Sequence, residues 1–551
     1  MRIRNLAVGL FLPAIAALAL AIPAHALQGP PRGEGDYDSF VALFSQFEAW
    51  ADETPGSDPR VPDYSDDVVG DRIDDLSDFQ AQLSDMNVAA WERAHQAEYL
   101  AVRARMDEAE FWLRVSRPFE RDPGYYVDRM LRPAFTELPV EGESLETLQA
   151  RLNAIPVLVE VGERNLDAVA ADYADLALHN LTTADGVGHG HPYREVPPAG
   201  VIGWYEDLLG RAQTAQPGLV PEIEAALSSV REFHAWLLER RPAMTADAGV
   251  GEARFDWYVK NVKLLPWTSA EIVTLGEREI DRLWAFYALE RHRNRDLPEL
   301  EPAQSREAYH ARIAETDADI RAFLEDHDII TIPDHIGELD FNVPWIERPG
   351  GRNFWEEIQY RDPSPDHFHA VIPGHRFDAL MVPEHPVREH IADGVRAEGW
   401  ATYLEEAMVQ AGFFEDRPRA RELIYIFGIF RAARVPADVW LQTNRMSAEE
   451  AVAYWRELTP YLDEDVARVD AEIYLRRPPG YGLGYQIGAL QMQQLLADRR
   501  RQLGDDFSLR EFHDDFLAHG RLPLALIRWE MTGLDDEVSD LWEHEPIPGF
   551  Q

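Results

Sequence analysis

Apolar residues recur at helical spacing along most of the chain. Near the start, Val41, Phe44 and Phe47 lie three residues apart, which places them on one face of a helix. Similar stripes predict a helix pair over residues 144–178 and helices over residues 201–215, 219–241 and 419–434. We expect the last of these helices to end at Pro436, because proline removes a backbone donor. The pattern predicts an all-α fold.

The pattern changes between residues 329 and 360. The stretches IITIPD, LDFNVPWI and FWEEIQY are short, rich in β-prone residues and separated by proline and glycine. They predict a small β hairpin or sheet that leads directly into a histidine-rich segment. The predicted fold is therefore mostly helical, with this one small β element.

The histidine-rich segment reads HFHAVIPGH from residue 367 to residue 375. His369 and His375 lie on either side of the Pro373–Gly374 dipeptide. On a straight helix, six residues at 100° each would leave the two imidazoles about 120° apart. Both can therefore reach one metal ion only if the chain bulges, which proline and glycine together permit.

A carboxylate follows on the next predicted helix. Glu398 opens the run Glu398-Gly399-Trp400-Ala401. Together with His369 and His375 it forms a three-ligand zinc set, whose fourth position can hold water. The sequence thus predicts one Zn²⁺ ion held by these three side chains. Glu405 lies seven residues after Glu398 on the same helix face, so we expect it beside the site.

The first 26 residues have the pattern of an export signal. Arg2 and Arg4 precede an apolar run over residues 6–22, and Ala24-His25-Ala26 supplies small residues for cleavage. We expect residues 1–26 to be a cleaved signal peptide and the mature protein to be periplasmic or secreted, with no stable membrane insertion. Residues 27–551 are expected to form one large domain, and a division into two lobes (27–250 and 251–551) stays open.

The amino-acid composition excludes some classes of binding partner and some kinds of chemistry for this protein. Acidic residues outnumber basic ones 98 to 53, which gives a net charge of −45. Such a surface repels phosphate backbones, so nucleic acid is not expected as a partner. The chain contains no cysteine, which excludes disulfides, a cysteine nucleophile and lipid attachment to a cysteine.

These motifs resemble the bacterial domain of unknown function 885 family, whose members look like zinc metallopeptidases. The family signature H-E-x-x-P-G-H corresponds to residues 369–375, and its E-G-W-A motif corresponds to residues 398–401. Further matches include the run Arg431-Ala432-Ala433-Arg434 and the Pro479–Gly480 turn. The resemblance implies a mostly helical, cleft-containing fold like that of helical zinc peptidases.

The sequence departs from the family pattern at groups that handle protons and substrate. The glutamate that the family carries after its first histidine, its expected general base, is Ala370 here. Gln442 stands where family members tend to carry a histidine, and Tyr481 stands where they carry a glutamine. The three inferred zinc ligands are nevertheless present.

Two interpretations follow. In the first, the protein is a metal-dependent hydrolase that acts on a peptide or small amide, and another group moves the proton. The candidate catalytic groups are Asp366, Glu405 and Tyr485, with Glu389 as a further carboxylate, and the candidate substrate-binding groups are Arg431, Arg434 and Tyr481.

In the second interpretation the fold is a non-catalytic binding protein, with or without a metal. The two histidines could then be polar residues packed in a core. Arg431 and Arg434 could equally form structural pairs with carboxylates in so acidic a protein.

Overall fold

The computed structural model describes residues 29–183, 194, 198–347 and 351–550. The predicted signal peptide, residues 1–26, lies outside these ranges. Within them the secondary structure is helical, with no strand and only two isolated bridges, Gly35 to Met86 and Ala170 to Ala246. The predicted all-α class is confirmed.

The helices of the N-terminal half are α1 (Tyr37–Asp52), α2 (Asp66–Ser84), α3 (Arg93–Phe111), α4 (Pro118–Arg121), α5 (Gly124–Ala134), α6 (Gly142–Asn165), α7 (Ala171–Thr182), α8 (Gly200–Ala215) and α9 (Val220–Arg240). The middle of the chain contains α10 (Glu252–Asn261), α11 (Ser269–Arg293), α12 (Arg306–Asp326), α13 (Phe354–Gln359), α14 (Ser364–Asp366) and α15 (His375–Leu380). The remainder comprises α16 (Gly394–Ala411), α17 (Ala420–Gln442), α18 (Ala448–Leu458), α19 (Glu464–Arg476), α20 (Leu483–Leu503), α21 (Leu509–Ala518) and α22 (Leu524–Thr532). Two π-helical turns, Trp112–Ser116 and His367–Val371, and short 3₁₀ turns connect some of them.

The β element predicted before the histidines is not observed in the described residues. Residues 329–347 form irregular, extended chain, and the stretch predicted as its last strand is helix α13 instead. Asn353 caps this helix by accepting from the Glu356 backbone N–H at 2.9 Å, and Glu356 accepts from the Asn353 N–H at 3.1 Å. This reciprocal capping box fixes a helix where the aromatic residues alone suggested a strand.

The sequence predicts that helix α17 ends at Pro436. In the structure the helix continues past this proline to Gln442. It is buried along nearly its whole length. Its neighbour α11 approaches closely at Gly276, where an added Cβ would lie 2.9 Å from the Pro436 ring. Packing on all sides therefore keeps the helix intact, although an interior proline costs about 3 kcal/mol.

The hydrophobic core has several parts. One cluster joins residues from the 40–119 region to residues from the 255–541 region, including Phe44, Trp400 and Phe516. A second cluster is built from residues between 126 and 244. A third surrounds α17, α18 and α19. The division into lobes near residue 250 stays a prediction.

Candidate metal centre

The chain breaks between the two central histidines. The π-helical turn His367–Val371 ends at Ile372, whose backbone is extended, and His375 begins α15 after Gly374. A Cβ added to Gly374 would lie 1.9 Å from the carbonyl oxygen of His369, so only glycine fits at this position. The break brings the Nε2 atoms of His369 and His375 to 3.2 Å from each other.

Glu398 completes the group from the first turns of α16. Its Oε2 atom lies 3.2 Å from the His375 Nε2 atom and 3.4 Å from the His369 Nε2 atom. The three ligand atoms therefore converge on one point, all within 4.8 Å of one another. Ligands of a tetrahedral zinc ion, bound at about 2.0–2.2 Å, lie about 3.3–3.5 Å from one another. The observed spacing and the donor set fit such an ion.

The centre is open on one side. The side chains of His369 and Glu398 are 9% and 12% exposed, whereas that of His375 is 33% exposed. A fourth ligand or a substrate would therefore approach from the side of His375.

A buried ion pair between Glu405 and Arg431 contacts the Nδ1 side of the His369 ring. Oε1 of Glu405 lies 3.0 Å from the His369 Nδ1 atom, and Oε2 of Glu405 accepts from Arg431 at 2.6 Å. The ring N–H is not aimed at Oε1, so the contact is more electrostatic than a fully formed hydrogen bond. A carboxylate at Nδ1 orients the ring so that Nε2 faces the centre, which is the usual arrangement behind a metal-binding histidine.

The charges of the centre shift the pKa values of its groups. Burial would raise the pKa of Glu398, but the two histidines outweigh it and hold that pKa well below its usual range. Burial and Arg431 lower the pKa of His369, but Glu398 and Glu405 outweigh them, and the net shift is upward. The Glu398 carboxylate is thus ionised, and a metal ion at this centre would compete with a proton for His369.

Two tyrosines face the same centre, Tyr481 from the turn before α20 and Tyr485 from the first turn of α20. Tyr481 donates to the second carboxylate oxygen of Glu398 at 3.2 Å. The ring of Tyr485 stacks on the ring of His369, with centroids 6.3 Å apart. Burial, together with the negative charge of Glu398, raises the pKa of Tyr485 well above its usual value. Tyr485 therefore keeps its proton and can act as a donor.

The two arginines predicted to bind substrate are buried and paired with carboxylates. Arg431 and Arg434 are only 2% and 3% exposed. Arg431 pairs with Glu405, and Arg434 donates to Asp470 at 2.9 Å while its guanidinium lies 4.4 Å from the Tyr485 ring centre. These contacts are those of structural pairs, which was the alternative interpretation, and a part in substrate binding stays a prediction.

The remaining predicted carboxylates lie in different surroundings. Asp366 is buried, and its Oδ1 atom accepts from the Asn342 side chain at 3.4 Å. Glu389 pairs with the exposed His390 at 3.5 Å. The described contacts link neither of them to the three ligand atoms.

Asp438 is a site residue to which the sequence analysis assigned no role. Its carboxylate accepts from the backbone N–H of Gly482 at 2.7 Å and from that of Gly480 at 3.4 Å. It therefore pins the glycine-rich turn that presents Tyr481 and Tyr485. Burial raises the pKa of Asp438 to about 7. Its contacts depend on how α17 packs against this turn, which the spacing of residues along the chain does not determine.

Fold and site together define an all-α protein with a three-residue candidate metal centre. Residues 363–531, which include that centre and the tyrosine-bearing turn, match the profile of a family described as "Bacterial protein of unknown function (DUF885)". This match supports the family resemblance for that part of the chain.

Two solved structures share the fold. One is described as "a putative lipoprotein of unknown function from Shewanella oneidensis" and the other as "the putative lipoprotein from Colwellia psychrerythraea". Each superimposes on 90% of this chain with a TM-score of 0.64 and 16% sequence identity, covering 100% and 98% of the respective neighbour. At this identity the likeness shows the fold alone. Curated proteins give no match.

Proposed function

We propose that this protein is a metal-dependent hydrolase that acts on a peptide or small amide substrate. The observation that carries the proposal is the convergence of His369, His375 and Glu398 at zinc-like spacing, with the His375 side open. A bound Zn²⁺ ion would polarise the substrate carbonyl and activate water for attack.

Side chains around the metal centre would orient its ligands and stabilise the charge that develops on the substrate. Glu405 and Arg431 hold the His369 ring in the orientation that binds metal. Tyr481 fixes the second oxygen of Glu398, which leaves the first oxygen for the ion. Tyr485, which keeps its proton, is placed to donate a hydrogen bond to the negative charge that develops on a substrate oxygen.

One observation favours a second candidate, a non-catalytic binding protein. Ala370 occupies the position of the family's general base and cannot accept a proton. Glu405 is already engaged by His369 and Arg431, and so is not free to replace it. General-base catalysis is worth about 10²–10⁴ in rate, so its loss would be decisive unless another group moves the proton.

The first measurement is the metal content of the purified protein. We expect one zinc ion per chain in the wild type and none in the His369→Ala/His375→Ala double variant, because the variant loses two of three ligands. Stoichiometric metal in the double variant would show that the ion is held elsewhere.

The second measurement is turnover of a panel of peptides and small amides, with and without zinc. The variants are Ala370→Glu and Tyr485→Phe, with Tyr461→Phe as the exposed tyrosine control. We expect zinc-dependent turnover by the wild type that falls in Tyr485→Phe. Ala370→Glu should be neutral or harmful, because a new carboxylate would crowd the open side of the centre. Full zinc occupancy without turnover by any variant would favour the binding protein.

We also infer that the protein is exported and begins near Leu27 after cleavage. The support is the arginine-flanked apolar run and the Ala24-His25-Ala26 sequence. The neighbours' description as lipoproteins does not carry over to a cysteine anchor, because this chain has no cysteine. No helix in the described part of the chain is apolar over enough length to cross a bilayer. Mass spectrometry of the exported protein should find a start near Leu27, and an intact Met1 would contradict the inference.

A further inference from the structure

An exposed arginine adjoins the metal centre. Arg477 directly follows the last residue of α19, and its side chain lies at the surface. Its guanidinium carbon lies 4.6 Å from the centre of the Tyr481 ring. The hydroxyl of the same tyrosine donates to Glu398 at 3.2 Å, so a single ring separates the guanidinium from a proposed metal ligand.

The groups between this arginine and the open side of the centre are accessible. His375, Glu398 and Tyr481 are each partly exposed. His375 and Tyr481 both contact the Glu398 carboxylate, at 3.2 Å each, so the three groups form one continuous accessible surface. Arg477 extends that surface through its contact with Tyr481. A substrate bound at the centre would therefore lie next to an exposed guanidinium.

The preceding arginine takes up the carboxylates of this region. Arg476 pairs with Asp122, Asp128 and Glu472. By contrast, no ion pair or side-chain hydrogen bond engages Arg477 within the part of the chain that the structure describes. The N–H donors of the Arg477 side chain are therefore available to a ligand.

A guanidinium in this position suits a carboxylate. Its N–H donors form a planar fork that can bind both oxygens of one carboxylate. Contact with an aromatic ring holds the group in place, so less side-chain freedom is lost when the carboxylate binds. Arg477 therefore offers a pre-positioned site for a carboxylate beside the metal centre.

The acidic surface of the protein does not oppose such a contact at short range. The net charge of −45 repels anions at a distance, but the repulsion is screened beyond about 8 Å at physiological ionic strength. Near the centre, Glu405 and Arg431 compensate each other. The charges of a bound Zn²⁺ ion and of Arg477 would then outweigh that of Glu398, which favours an anionic group on the substrate.

We propose that Arg477 binds a carboxylate of the substrate, so that the site selects peptides with a carboxylate close to the bond to be cleaved. This inference rests on the proposed function and adds its substrate class. An extended peptide spans about 3.5 Å per residue, so a carboxylate within about three residues of the bond can reach across one tyrosine ring. Hydrolysis adds the hydroxyl of water to the carbonyl carbon and a proton to the departing nitrogen, and the carboxylate stays unchanged.

The test compares three acetylated tetra-alanine peptides as substrates of the zinc-loaded, processed protein. One peptide ends in a free carboxylate and one ends in an amide. The third also ends in an amide, but carries one aspartate in place of an alanine. We expect kcat/KM for at least one carboxylate peptide to exceed that for the uncharged peptide by about tenfold or more. The preferred peptide identifies the source of the carboxylate, which is the C-terminus or an acidic side chain.

Variants assign this preference to Arg477. Arg477→Gln should reduce the preference about tenfold, and Arg477→Lys should be intermediate, because lysine keeps the charge without the paired donors. Arg240→Gln is the matched control and should keep the wild-type preference. Arg240 is likewise exposed and lies 5.0 Å from the ring centre of Trp236, but it is on α9. Circular dichroism checks that each variant folds.

Two outcomes of the variant series would overturn the proposal. An equal fall of kcat/KM for charged and uncharged peptides in Arg477→Gln would show that the arginine only supports Tyr481. A preference that survives unchanged in Arg477→Gln would show that the carboxylate is bound by another group, such as the metal ion.

Calorimetric binding of the same peptides separates this inference from the proposed function. Binding of a carboxylate peptide that weakens about tenfold in Arg477→Gln, without hydrolysis of any peptide, would contradict the hydrolase and support Arg477 as the carboxylate-binding group. Hydrolysis without a preference for a carboxylate would support the hydrolase and overturn the inference. Neither binding nor hydrolysis of the carboxylate peptides would overturn both.

Discussion

Each oxygen of Glu405 is engaged by a different neighbour. Oε1 lies against the His369 ring and Oε2 accepts from Arg431, and all three side chains are buried. The carboxylate therefore balances two potential positive charges in a place that water does not reach. Under the proposed function, these contacts suit a role in the orientation and basicity of His369 rather than in proton transfer at the open side of the centre.

Replacing Glu405 should therefore reduce metal affinity. We expect Glu405→Gln to weaken zinc binding about 10–100-fold, the usual cost of losing a group that orients a metal-binding histidine. Competition with a chromophoric chelator measures the affinity. Glu406→Gln is the matched control, because Glu406 pairs with Arg282. Equal affinity of the two variants would contradict the positioning role.

For single residues of the site, the sequence predicts a contact where both partners lie close together along the chain. Helical geometry placed Glu405 beside Glu398 correctly, and the chain does break at Pro373–Gly374, as the spacing of the two histidines requires. The partners of Arg431 and Arg434 lie 26 and 36 residues away. Such contacts depend on how α16, α17 and α19 pack, which the spacing of residues along one helix does not determine.

Two helices of the centre, α16 and α20, touch backbone to backbone. A Cβ added to Gly399 would lie 2.5 Å from the Gly488 carbonyl carbon, and one added to Gly488 would lie 2.3 Å from the Val395 carbonyl oxygen. This close approach is available only to glycine. Because α16 carries Glu398 and α20 carries Tyr485, the contact fixes the distance between ligand and tyrosine.

Forcing the two helices apart should damage both stability and the centre. We expect Gly488→Ala to lower the free energy of unfolding by about 1–3 kcal/mol and to weaken zinc binding, because a backbone must move. Denaturant unfolding and chelator competition measure the two effects. Gly70→Ala on α2 is the control, since an added Cβ there meets nothing within 4 Å and should stabilise the helix by about 0.5–1 kcal/mol. A Gly488→Ala variant as stable as wild type would refute the contact.

Helix prediction succeeded where the apolar stripe is amphipathic, as for α8 and α9, and failed where another signal competed. The Asn353-x-x-Glu356 pattern was visible in the sequence as a capping box, but the β-prone aromatic residues outweighed it. Around Pro436 the sequence contains no comparable motif to indicate that the helix continues past the proline. The burial that keeps α17 helical past the proline comes from helices distant in the chain, so only the assembled structure reveals it.

For the molecule as a whole, buried ionisable groups couple stability to pH. His513 on α21 is fully buried between Tyr403 of α16 and the chain before residue 331. Its Nδ1–H donates to the Ile329 carbonyl at 2.8 Å, so Nε2 accepts from the Tyr403 hydroxyl at 3.0 Å. A second proton on this ring has no acceptor in that arrangement. Burial accordingly lowers the pKa of His513 to about 4.

The sign of the pH dependence follows from the protonation of His513 in the folded and in the unfolded chain. Above pH 6.5 the imidazole is neutral in both the folded and the unfolded chain, so it adds no pH dependence. As the pH falls from 6.5 towards 4, the unfolded chain takes up a proton that the folded chain does not, and stability falls. Each pH unit in this window costs about 1.4 kcal/mol, which amounts to about 3 kcal/mol at pH 4.

Removing the imidazole should flatten this dependence. We expect His513→Gln to be less stable than wild type at pH 7, because it disrupts two buried hydrogen bonds, and the difference should shrink by about 3 kcal/mol between pH 6.5 and pH 4. Denaturant unfolding of both proteins across this window, in EDTA, measures the difference while the other ionisable groups cancel. His390→Gln serves as the control, because the His390 side chain is 51% exposed. A constant difference between wild type and His513→Gln at all pH values would show that His513 is not the group that couples folding to protons.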